Sequence, residues 1–234
     1  MWHKYVMEIK KDGYMKYISH LDMVKLFKNA FKKTEIKLAF SQGFNPHPKM
    51  GFAQPLSLGF SSSCELLEFE TQEHIDPNTI ASRLKPILPK GIEILDCKTF
   101  THNKSFAART FAATYEISIP VNPEIILNSL VSSQNADELC DAFLKQEQIT
   151  TLKKQKKTGN KIEIDIKHMI RKLNVDYVDF QFLIPKVVLT ATLDSGSNSN
   201  LSPELVYTTF ASFAGIKTAR EDVEIKRTAL FFEK

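Results

Sequence analysis

Near the start of the chain Tyr5, Met7 and Ile9 alternate with Val6, Glu8 and Lys10. That period of two predicts a half-buried strand, and Asp12-Gly13 closes it. Ser19 followed three residues later by Asp22 reads as a capping box. In the helix it opens, Met23, Val24, Phe27, Ala30 and Phe31 recur at helical spacing, while Lys25, Lys28 and Lys32 share the opposite face. Ile36, Leu38 and Phe40 predict a second strand. Residues 41–60, SQGFNPHPKMGFAQPLSLGF, hold three Gly and three Pro. Such a segment is neither a regular helix nor an internal strand throughout, and its length inside a domain marks a functional loop. Glu65 to Thr71 returns to strand, Asp76-Pro77 opens a helix that Pro86 and Pro89 close, and Gly91 to Phe100 is a further strand. The order β-α-β-β-α-β is the split βαβ unit of a ferredoxin-like domain.

A polar connector follows at about 101–110, and the pattern begins again. Tyr115, Ile117 and Ile119 alternate as a strand, and a helical region runs from Pro123 to about Gln146 with a break near Ser133 and Asn135. Strands are predicted at 148–155 and 161–165, then a short helix capped by Asp165 and carrying Ile166, Met169, Ile170 and Leu173. Val175–Ile184 and Val187–Leu193 form a hairpin, Ser195–Asn200 a loop, Ser202-Pro203 to Gly215 a helix, and Val223–Phe232 the last strand. The fold expected is α+β, with two ferredoxin-like halves of which the second is elaborated. The domains are placed at 1–100 and 113–234.

Composition narrows the class. The 234 residues are 43% hydrophobic and 25% charged, the balance of a soluble globular protein. No apolar run approaches the ~18 residues of a membrane span. The opening Met-Trp-His-Lys-Tyr-Val-Met-Glu places charge inside any apolar stretch, so neither a signal peptide nor a membrane is expected, and the cytoplasm is the expected location. Cys64, Cys97 and Cys140 lie more than thirty residues apart, and the six His form no HxxxH pair. That spacing offers no local zinc or iron–sulfur loop, and no metal or cofactor is expected. Gly43, Gly51 and Gly59 match neither dinucleotide nor P-loop spacing.

The charge is unevenly spread. The net formal charge is +4, yet residues 1–50 carry ten Lys against four acidic residues. A second cluster holds Lys153, Lys154, Lys156, Lys157 and Lys161, continuing through Lys167, Arg171 and Lys172. Clusters of this kind attract polyanions through counterion release, the alternative being a solvated lysine surface. In the 41–60 loop, Phe44, Phe52 and Phe60 interleave with Gln42, Asn45, His47 and Lys49. Aromatics stack on unpaired bases, amides read base edges and Lys meets phosphate. Phe52 and Phe60 are expected to plug the core instead. The RNA-contact set is therefore Lys25, Lys28, Lys32, Gln42, Phe44, Asn45, His47 and Lys49. Arg109 and Arg227, each followed by Thr, are added as residues lining a cleft between the halves. Ser19, His20 and Asp22 are expected to order the helix start and the loop.

Ile18-Ser19-His20-Leu21-Asp22, the basic helix after it, Ser41-x-Gly43-Phe44-Asn45-Pro46-His47-Pro48-Lys49, Pro55-Leu56-x-Leu58-Gly59 and Glu65 occur in one order. Together they resemble the bacterial family of radical-SAM-linked, or radical-SAM-associated, proteins, a domain of unknown function. The match is close over the first hundred residues and looser beyond, at Asp165 and Arg227-Thr228. The resemblance implies a partner, a radical SAM enzyme with a cobalamin-binding domain, and supplies no catalytic residue. Where the family pattern is expected to be Arg-rich, this chain has Lys28, Asn29, Lys32 and Lys33, which keep charge without the bidentate fork. The helix, strand and Gly-rich hairpin also resemble ferredoxin-like RNA-binding proteins of the CRISPR RNA-processing type. The expected function is an RNA-binding accessory module presenting a structured RNA, tRNA or rRNA, to that partner. DNA is not an expected partner. Two alternatives stand beside it. One is an RNA-processing or RNA-modifying enzyme with His47 as acid or base, His20 and Asp22 as its partners and Lys49 as electrostatic stabiliser. The other is a protein-only adaptor.

Overall fold

Strand β1 (His3–Lys11) buries every second residue, and Tyr5, Met7 and Ile9 are fully inaccessible. It lies between β3 (Ser61–Thr71) and β4 (Ile92–Thr99), antiparallel to both. The three-residue β2 (Met50–Phe52) pairs antiparallel with β3 on its far edge. Helices α1 (His20–Lys33) and α2 (Pro77–Leu84) pack on one face. Phe27, Phe31 and Ile80 meet Leu67, Phe69 and Ile94 there, with the Phe31 and Phe69 rings 4.8 Å apart. Each such side chain contributes about 1.5–3 kcal/mol by leaving water. Gly91 ends the turn before β4 at φ +98°, where a Cβ would stand 2.5 Å from the Asp12 carbonyl. Only glycine fits that approach.

The computed structural model describes residues 2–121, 133–155, 159–179 and 185–233. It divides into one unit of Met1–Thr110 with Ala229–Lys234 and a second of Phe111–Thr228. The chain thus passes from one unit to the other after Thr110 and again after Thr228. In the first unit the strand order β4-β1-β3-β2 is that of a ferredoxin-like sheet.

The predicted strand at 36–40 is corrected. It survives as two isolated bridges, Leu38 to Thr71 and Phe40 to Pro48. The reason is competition for the β3 edge: Met50–Phe52 occupies positions 67–69, leaving residues 37–39 only the end of β3. The polar connector holds one further turn, α3 (Phe106–Arg109), capped by the Ser105 hydroxyl.

The second unit repeats the plan. Its strands are β5 (Thr110–Pro120), β8 (Ile170–Asp179), β9 (Lys186–Asp194) and, up to Thr228, β10 (Glu224–Phe232), ordered β10-β5-β9-β8. Its helices are α4 (Ser133–Lys145) and α5 (Pro203–Phe213), whose Phe143 and Phe210 rings meet edge to face at 5.4 Å. The elaboration is a separate hairpin of β6 (Thr150–Lys154) and β7 (Lys161–Asp165). The predicted helix after Asp165 shortens to a single 3-10 turn, Lys167–Met169, and Leu173 is a buried strand residue. The Asp165 carboxylate still caps, accepting the Ile149 and Lys167 amides at 3.0 and 2.9 Å. The predicted helix start at Pro123 and the hairpin end at Ile184 lie outside the described residues.

A candidate nucleic-acid interface on the first unit

Helix α1 sets the first wall. The Ser19 hydroxyl accepts the Asp22 amide at 3.1 Å and donates to the Asp22 carboxylate at 2.7 Å. That hydroxyl, with the Lys25 ammonium 3.5 Å away, holds the Asp22 carboxyl below its usual range. Ser19 and Asp22 thus cap the helix as expected, and Lys25 is spent on an exposed ion pair of little strength. Lys28 and Lys32 point elsewhere. With Lys37, Phe40 and Pro48 they line a groove of about 650 Å³ between α1 and the 36–40 segment. Phe40 is 45% exposed beside it. Three lysines face one carboxylate there, that of Glu35, whose backbone turns at φ +58° as α1 ends.

The loop leaves from the same place. Its stem is closed by Ser41, whose amide donates to the His47 carbonyl at 2.8 Å while its hydroxyl accepts the His47 amide at 2.9 Å. The Lys49 amide then reaches the Ala39 carbonyl at 2.8 Å. Gln42, Asn45 and His47 are exposed on the tip, and Phe44 is completely exposed at 111%. An apolar ring held out of the core on a pinned stem is a stacking surface. Phe52 and Phe60 are buried plugs. Lys49 departs from the set: its ammonium lies 3.1 Å from Glu70 and 3.8 Å from the centre of the Trp2 ring, and it does not line the lysine groove.

Beneath the loop lies a group that the hydropathy pattern concealed. Lys11 and Glu65 are 2% and 4% exposed. With His20, Phe52 and Leu56 they close around a void of about 10 Å³, too small for more than one water. The Lys11 ammonium donates to the Ile18 carbonyl at 3.2 Å, and the His20 ring meets Phe52 edge-on at 5.7 Å. Burial lowers the His20 pKa, with Glu65 opposing and Lys11 reinforcing that shift. The available signal was parity: Lys11 continues Tyr5, Met7 and Ile9, and Glu65 precedes Leu67 and Phe69 on the inward side.

The two arginines are tied up. Arg109 donates to the Glu233 carbonyl at 2.8 Å and lies 5.6 Å from the Phe106 ring centre. Arg227 is 1% exposed, because β10 turns Ile225 and Arg227 inward together. A buried guanidinium does not meet a phosphate in solvent, so its expected RNA contact is withdrawn. In the second basic cluster Lys153 and Lys161 are exposed, whereas Lys167 donates to the Gln146 carbonyl and Arg171 pairs with Asp194 at 2.6 Å each. Among the described residues no three His, Cys, Asp or Glu gather as a metal site, and no helix is long and apolar enough to cross a membrane. Burial pushes the Cys97 thiol up to about 12, which leaves it a poor nucleophile.

An α+β chain of two ferredoxin-like units, the first with a lysine-walled groove beside an exposed aromatic loop, is the class these observations define. The chain belongs to the family described as uncharacterized protein conserved in bacteria (DUF2344), whose model matches residues 4–203. No curated protein matches. Among solved structures it is similar to a chain from the crystal structure of a Cbf5-Nop10-Gar1 complex, at 10% identity and a TM-score of 0.47. That match covers 98% of this chain, which spans 50% of the other. A second similarity, to the CRISPR endoribonuclease Cse3 bound to a 19 nt RNA, has 10% identity and a TM-score of 0.19, covering 95% and 98% of the two chains.

Proposed function

We propose that the first unit binds an unpaired stretch of RNA along the lysine groove and, as the motif resemblance implies, presents it to a radical SAM enzyme with a cobalamin-binding domain. One observation carries the RNA reading: Lys28, Lys32 and Lys37 share a groove with exposed Phe40, at the stem of the loop that holds out Phe44. Phosphates meet the ammonium groups and bases stack on the two rings, with Gln42 and Asn45 placed to read an edge. The arrangement favours a single strand, since a ring stacks only on a base released from its helix. Binding is favoured over catalysis because His20 and Asp22, the candidate partners of His47, are engaged in core packing and capping.

The test is filter binding of the chain to total cellular RNA across a salt series. Each lost phosphate contact lowers the slope of log K against log salt by roughly 0.7 for a single strand. Lys28→Glu/Lys32→Glu is expected to lower it by about twice that. An unchanged slope removes RNA from this groove. The partner is tested by capture of the radical SAM enzyme with and without ribonuclease. Capture that persists after RNA is digested, with no RNA binding by the chain alone, supports the protein-only adaptor instead.

A further inference from the structure

One face of the first unit's sheet is covered by α1 and α2, and the other carries the opposite parity of each strand. Register sets Lys4 across from Glu70 and Val6 across from Glu68 on that second face. After β4 the chain folds back over it. The Phe100 amide donates to the Lys4 carbonyl at 2.8 Å, and the Phe106 amide donates to the Glu68 carboxylate. Between this connector and the sheet lies a pocket of about 440 Å³, lined by Lys4, Lys49, Glu68, Phe100, Asn103 and Ser105. Small-molecule sites commonly run from about 300 to 1,000 Å³ and combine an apolar body with a few convergent polar groups.

The polar groups here are ordered. Lys49 is committed to Glu70 and the Trp2 ring, which fixes one side. Glu68 stands half-buried on the floor, and burial raises its pKa while the amides of Phe106 and Ala107 and the charges of Lys4 and Arg109 oppose that. A carboxylate offers about four lone-pair sites, so two backbone amides leave it able to accept from a ligand. Phe100 supplies an aromatic wall, stacked at 4.9 Å on Phe106, and Asn103 supplies an amide. A flat ring with adjacent N–H donors on one edge and an anionic tail complements this set. Among nucleobases guanine presents such an edge, its N1–H and N2 amino groups lying side by side.

We propose that this pocket binds a guanine nucleotide, with the donor edge of the base on Glu68, the ring against Phe100 and the phosphate on Lys4. The proposal rests on the RNA reading only for the source of the nucleotide, either a guanosine everted from a bound strand or a free guanine nucleotide.

The experiment is calorimetric titration of the full chain with GMP, AMP, CMP and UMP. GMP is expected to bind at least about tenfold more tightly than AMP, since a carboxylate placed to accept two adjacent N–H donors rejects adenine, whose amino group stands beside a ring-nitrogen acceptor. Glu68→Gln is expected to abolish that preference, and Lys4→Ala to weaken GMP while leaving guanosine unchanged. Should Glu68→Gln fail to fold by circular dichroism, Lys4→Ala and Asn103→Ala carry the test. No binding of any nucleotide at millimolar concentration overturns the proposal, as does equal binding of GMP and AMP, a GMP preference that survives Glu68→Gln, or a GMP affinity unmoved by Lys4→Ala. A guanosine-containing heptamer that displaces GMP identifies an everted base, and one that binds alongside GMP identifies the free nucleotide; both support the pocket. Lys28→Glu/Lys32→Glu separates the two readings. GMP binding without any salt-dependent RNA binding leaves the pocket and removes the groove, and the reverse leaves the groove and removes the pocket.

Discussion

Lys11 and Glu65 show how far a single position can depart from its label. Both occupy inward strand positions, flank His20, and share one small void. A buried charge deprived of its counter-charge is destabilising by roughly 3–5 kcal/mol, whereas replacing both by apolar groups is often neutral. Glu65→Gln is therefore expected to lower stability by that order in urea unfolding, and Lys11→Met/Glu65→Leu to recover most of it. His20 adds a pH dependence of known sign. Its folded pKa lies below the ordinary 6.5, so the unfolded chain takes up the proton first as pH falls. The stability it contributes is present above 6.5 and is lost as pH drops below that value. His20→Asn is expected to flatten this part of a melting-temperature profile against pH. Ser19 and Asp22 were legible because a cap is written in adjacent residues. Lys11 and Glu65 were not, since charge ordinarily signals solvent and only strand parity contradicts it.

At the scale of elements, local signals located both βαββαβ units and most of their helices. What they missed was decided by competition between distant segments. Ile36, Leu38 and Phe40 have strand alternation, yet β2 holds the edge of β3 they would need, and β2 itself is three residues centred on Gly51 inside a Gly/Pro-rich stretch. The groove at Lys28, Lys32 and Lys37 lies between α1 and this 36–40 segment. Two substitutions test the local logic. Ser19→Ala removes the cap of α1 and is expected to cost about 1 kcal/mol. Gly91→Ala forces a Cβ against the Asp12 carbonyl at a positive φ, and is expected to cost about 1–3 kcal/mol in the same denaturant assay.

For the whole molecule, periodicity gave the two-unit plan but not the ownership of the last residues. Residues 229–234 belong to the first unit: the Glu233 amide donates to the Arg109 carbonyl at 2.8 Å, and the Phe232 ring meets Phe106 at 4.8 Å. Removing residues 229–234 is expected to lower the unfolding midpoint of the first unit and spare the second. The single Trp, Trp2, lies in the first unit beside Lys49, so its fluorescence reports that transition separately. Coincident, unshifted transitions would contradict this.

The double passage of the chain between units also orders events on the ribosome. The second unit is contiguous, so everything it needs has been synthesised once residue 228 is added. The first unit, begun earlier, must wait with its edge incomplete until residues 229–234 emerge. During that interval the earlier-made unit is the one exposed to mispairing, and a chain cut short before residue 229 would hold every residue of its second unit and an incomplete first one.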